Sequence, residues 1–149
     1  MPSDSGHTIF NFIVYALISI LLFKFPILSL IQYAVFTIFF IIGTLVLNPD
    51  LDTNSKGSKR CGIACRPYKW IFRHRGASHH WLWGTVARIL YVAVLVFLIL
   101  LAVWVFWWRF PIDGSSLFTF MSLHVIDIIL GGLGLFIANL LHIILDHLA

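Results

Sequence analysis

Seven side chains in this sequence are candidate metal ligands: His7, Asp50, Asp52, His74, His79, His142 and Asp146. Imidazole and carboxylate donors without thiolate suit zinc first, with manganese, iron or nickel as alternatives, and disfavour copper(I) or iron–sulfur chemistry. Seven donors are more than the four of a structural zinc centre, and the surplus fits one ion with an exchangeable position or two ions. Such a centre lowers the pKa of coordinated water toward about 7 and polarises a phosphoryl or acyl oxygen, which is the chemistry of metal-assisted hydrolysis. Asp50 or Asp52 can orient that water or take its proton. The Arg75 guanidinium has the fork geometry for a bidentate phosphate contact, and an ion pair with Asp50 or Asp52 is an equally good use of it.

Spacing says which donors can act together. His142 and Asp146 are four apart and share one face if helical. His74 and His79 are five apart and do not, but Gly76 between them permits a turn that brings the rings together. Asp50 and Asp52 alternate within NPDLD and can face one way, although a turn-forming or capping role explains an aspartate beside proline equally simply. Cys61 and Cys65, spaced C-x-x-x-C without a second pair, make a weak zinc motif and leave the redox compartment undecided.

The elements that carry these residues are apolar. The chain has 149 residues, 60% hydrophobic and 11% charged, against roughly 25% charged in soluble domains. This composition predicts a single integral membrane domain, an all-α bundle. Four runs, about 8–25, 27–47, 82–108 and 117–145, are compared with the roughly 20 residues that cross about 30 Å of hydrocarbon. They predict four transmembrane helices, the first two parted by Pro26 and the second ended by Asn48 and Pro49. A β-barrel is excluded by continuous apolar runs with no alternation. No basic n-region or small-residue cleavage site marks the first run as a signal peptide, so it is read as retained.

The remaining polar loop, 49–80, sets the orientation. Lys56, Lys59, Arg60, Arg66, Lys69, Arg73 and Arg75 lie in it and Arg88 just beyond, whereas only Lys24 and Arg109 lie in the opposite turns. The positive-inside rule places this basic loop in the cytoplasm, and four crossings place both termini there too. All seven donors then meet one face of the bundle. His124 and Asp127 do not, because His124 lies about 27 Å before His142 at helical rise. They are expected to pair with each other or with Arg109 near the opposite interface.

Four stretches carry a resemblance: GH at 6–7, NPDLD at 48–52, RPYKWIFRHRGASHH at 66–80 and LLHIILDH at 140–147. The sequence resembles small bacterial membrane proteins described as metal-binding and, more distantly, the YdjM-like inner-membrane metal-dependent hydrolases. The pattern of those hydrolases is GH, PDxD, HRGxTHS and HxxxD in that order. The resemblance implies metal-ligand or catalytic places for His7, Asp50, Asp52, His74, His79, His142 and Asp146, and a bacterial inner or equivalent membrane. His80 departs from the pattern, standing where those hydrolases have serine or another small polar residue.

Two functional classes follow. A site at headgroup depth favours a hydrolase of phosphate- or acyl-containing lipid-like substrates, with a lipid phosphate as one such partner. A small chain with a large apolar aromatic surface also suits a non-catalytic accessory subunit of a larger membrane complex. Nucleic acid is not expected as a partner, since the same basic residues already account for orientation and for contact with anionic lipid.

Overall fold

The structure is a computed structural model, and it describes residues 4–53, 55–71, 80, 82–107 and 114–148. Among these residues the secondary structure is entirely helical. Helix α1 spans Asp4–Lys24 and α2 spans Leu30–Leu45. Pro26 separates them as the sequence requires. Ser29 then starts α2 with a capping box: its hydroxyl accepts from the Gln32 amide while the Gln32 side chain accepts from the Ser29 amide.

The polar loop is largely built of short helices. A 3-10 helix, Pro49–Asp52, leads to α3 (Lys56–Cys61), a second 3-10 turn (Gly62–Cys65) and α4 (Arg66–Ile71). Gly62 takes a φ of 65°, a left-handed value that side chains disfavour, and so turns the chain out of α3. Cys61 and Cys65 are joined by a disulfide across this turn. The loop is tied to the bundle by Arg60, which donates to the Leu45 carbonyl at the end of α2 (2.9 Å), and by Lys56, which donates to the Ser5 hydroxyl (2.7 Å).

Helix α5 spans Trp83–Trp107, α6 spans Gly114–Leu123 and α7 spans Val125–Leu148. Among the described residues three helices, α1, α5 and α7, are long and apolar enough to cross a membrane. The expected second span is shorter than the sequence suggested. Helix α2 has 16 residues, about 24 Å at 1.5 Å per residue, because its cap begins it at Leu30 and the approach to Pro49 ends it at Leu45. The expected fourth span is interrupted. His124 occupies the position before α7, its carbonyl accepting from Ile128 (2.9 Å) and its ring meeting Asp127 (3.0 Å), so the helix restarts there.

Packing is concentrated where α2 and α7 meet. A Cβ on Gly134 would lie 2.5 Å from the Phe36 carbonyl oxygen, so only glycine allows the two backbones this close. Phe36, Phe40 and Ala138 form one buried cluster at this seam. Leu47, Leu51, Cys65, Tyr68 and Leu135 form another beneath the short loop helices. Helix α5 stands largely apart, with Leu90, Val94, Phe97 and Ile99 exposed along it.

Candidate metal centre

Three chain-distant elements meet at the loop end of the bundle. Helix α1 brings His7 from its first turn, the 3-10 helix brings Asp50, and α7 brings His142 and Asp146 from its last turns. Local structure explains each placement. Pro49 fits the first position of the 3-10 helix, where no amide hydrogen is needed. The Asp50 carbonyl accepts from the hydroxyls of Thr53 (2.8 Å) and Ser55 (2.9 Å), which fixes the backbone that carries the carboxylate. The four-residue interval on α7 stacks Asp146 one turn above His142.

The side chains converge. His7 Nε2 lies 3.2 Å from Asp146 Oδ1, and His142 Nε2 lies 3.1 Å from Asp50 Oδ2 and 3.7 Å from Asp146 Oδ2. The His7 and His142 rings stack, with centroids 3.8 Å apart and planes 11° from parallel. Both imidazoles are buried, whereas the Asp50 side chain retains 20% of its exposure and is the most open of the four.

These distances suit a divalent ion. Two donors bound about 2.0–2.1 Å from a tetrahedral ion stand roughly 3.3 Å from each other, close to the spacings observed. Donor atoms of His7, His142 and Asp146 all lie within 4.8 Å of one another. A neutral imidazole nitrogen and a carboxylate would face each other lone pair to lone pair at 3.1 Å, so a proton or a cation must lie between them. The donor set therefore fits a metal ion as well as it fits hydrogen bonding.

The other candidates distribute as follows. His74, Arg75 and His79 lie outside the described residues, as does the side chain of Asp52. His80 has a local role, its Nδ1 accepting from the amides of Leu82 (3.3 Å) and Trp83 (3.2 Å) at the start of α5. His147 donates to the Ile143 carbonyl of its own helix (2.8 Å). His124 pairs with Asp127 at the far end of α7, as its position in the sequence predicts.

Sequence reasoning missed the polar floor beneath the cluster. Asn11, one turn after His7, donates to the Thr44 hydroxyl (3.2 Å) and to the Ala138 carbonyl (3.0 Å), so one buried amide ties α1 to both α2 and α7. Asn139 is buried one turn before His142. The available signal was an asparagine one helical turn from a candidate ligand, inside an otherwise apolar run.

Fold and cluster together define a protein helical throughout its described residues, with membrane-length segments and a partly buried histidine–aspartate donor set able to hold a metal ion. The chain belongs to the family described as uncharacterized metal-binding protein (DUF2227), whose sequence profile matches residues 2–149. Comparison with curated proteins and with solved structures gives no match.

Proposed function

We propose that this protein is a membrane-embedded, metal-dependent hydrolase of phosphate- or acyl-containing lipid-like substrates. The observation that carries the reading is the convergence of His7, Asp50, His142 and Asp146 from three elements at the end of the apolar helices. A divalent ion bound there, zinc before manganese, iron or nickel, would supply Lewis acidity. His7, His142 and Asp146 would supply the ligands, for one ion or two. Asp50, the most open carboxylate, is suited to accept a proton at its surface-facing side while His142 keeps it oriented. Asp52, His74 and His79 remain proposed donors, and Arg75 a proposed phosphate contact, on their sequence positions alone.

A lipid-like substrate is supported by the surroundings. Between α4 and α5 runs an apolar groove of about 470 Å³, lined by Pro67, Ile71, Leu90, Tyr91, Val94 and Leu98. Tyr91 packs edge-on against Tyr68, which shares a core cluster with Leu51, the residue beside Asp50. Arg66 and Lys69 on α4 place cations next to the groove, where anionic headgroups would lie.

In this reading α2 and the α6–α7 pair complete four crossings, α2 being accommodated by local thinning of the bilayer. Loop 49–80 and both termini face the cytoplasm. Single cysteines replacing Lys59 and Ser115, with Cys61 and Cys65 changed to serine, test this. Ser115 is expected to label from outside intact cells and Lys59 to be protected, and the opposite pattern reverses the orientation.

The activity is tested with purified protein in phospholipid vesicles supplied with zinc or manganese. Release of phosphate or fatty acid, stopped by chelator and by Asp50→Asn, is expected. The exposed apolar face of α5 favours a second reading, an accessory subunit of a larger membrane complex. Absence of turnover, together with fixed-ratio co-purification of partner subunits, would establish that reading instead.

A further inference from the structure

We propose that the cluster is a two-ion centre bridged by Asp146, with Oδ1 serving an ion shared with His7 and Oδ2 serving an ion shared with His142 and Asp50. The stacked rings carry the argument. A metal bound to an imidazole nitrogen lies in the plane of that ring, about 2.0–2.1 Å from the nitrogen. The His7 and His142 planes are nearly parallel, with centroids 3.8 Å apart, and rings in contact keep their planes roughly 3.5 Å apart. An ion in one plane is then farther from the other plane than a metal–nitrogen bond reaches. One ion cannot hold both Nε2 atoms in this arrangement.

The carboxylates divide in the same way. His7 Nε2 meets Asp146 Oδ1 at 3.2 Å, whereas His142 Nε2 meets the other oxygen, Oδ2, at 3.7 Å and Asp50 Oδ2 at 3.1 Å. Asp146 thus presents one oxygen to each imidazole, the arrangement a bridging carboxylate adopts between paired ions. Position favours this role too, because Asp146 lies one turn above His142 on the same helix while His7 approaches from α1. The bridge would link α1 to α7.

This inference rests on the metal reading of the cluster but not on hydrolysis. Protein purified in detergent is stripped with chelator, reconstituted with manganese, and examined by metal analysis and electron paramagnetic resonance. The unaltered protein is expected to saturate at about two equivalents, with the spectrum of an exchange-coupled pair. His7→Ala and His142→Ala should each retain about one equivalent and show isolated ions, and Asp146→Ala should abolish the coupled signal. Saturation of the unaltered protein at one equivalent, or an isolated-ion spectrum at two, overturns the bridge and means that a ring turns to share a single ion. Failure to retain manganese overturns it together with the metal reading. A coupled pair without turnover on any lipid would leave the bridge standing and remove the hydrolase.

Discussion

A histidine–aspartate pair stands at each end of α7, and the two pairs differ in burial and in partners. His124 and Asp127 are three apart on neighbouring turns, with side chains 47% and 26% exposed, and their contact needs nothing but the local helix start. They border an apolar groove of about 470 Å³. His142 is buried and Asp146 partly so, and they gain His7 and Asp50 from elements remote in the chain. A pair that forms from local geometry reports only on its own helix. A cluster that requires three elements to dock is a property of the fold, and the fold keeps water from its imidazoles.

The sharpest way to break this contrast is His142→Ala. Loss of an outer partner of a metal ligand already costs about 10–100-fold in affinity, so loss of His142 itself should weaken retention of the ion it would ligate by more than about 100-fold in competition with a chelator. An unaltered metal complement and affinity would make the two pairs equivalent. Next in size is Gly134→Val, which forces bulk into the 2.5 Å approach of α2 and α7. Overpacking of this kind costs about 1–3 kcal/mol. It should lower the thermal midpoint in detergent and weaken metal binding together, because the same seam positions both.

Asn11→Leu sharpens the contrast at smaller scale. It removes two interhelical hydrogen bonds while keeping volume, and such bonds between membrane helices are worth about 0.6–2 kcal/mol. Stability should fall by that order and metal affinity by less than with His142→Ala. The smallest effect is expected from His124→Ala. A change at an exposed position with only a local partner stays within about 0.5 kcal/mol, and metal content should be unaltered. A measurable loss of metal would show that the two ends of α7 are coupled.

Part of the centre was legible because it depends on intervals. The four-residue step from His142 to Asp146 fixes a shared helix face, and the alternation of apolar runs with the basic loop brings His7 and NPDLD to the same end. The relative rotation of the stacked rings was not legible, since ring orientation follows from how α1 seats against α7. The short helices of the loop were also hidden. Their signals are local caps such as Ser55, which accepts from the Ser58 amide, and a single glycine at positive φ. Four complete spans were expected from apolar length alone, but capping at Ser29 trims α2 and the His124–Asp127 contact divides the last run. Asn11 was overlooked because a lone amide in an apolar helix carries no spacing pattern, and its three-helix role exists only after docking.

His7 sits in the first turn of α1 and Asp146 in the last turn of α7, so an ion held between them would close residues 7–146 into a ring. In a chain-entropy description, a cross-link around a loop of this size removes on the order of 4–5 kcal/mol of freedom from the unfolded chain. A chain emerging from the ribosome lacks His142 and Asp146 until α7 is made. Metal capture would then follow the synthesis and docking of α7, acting as a clasp between α1 and α7.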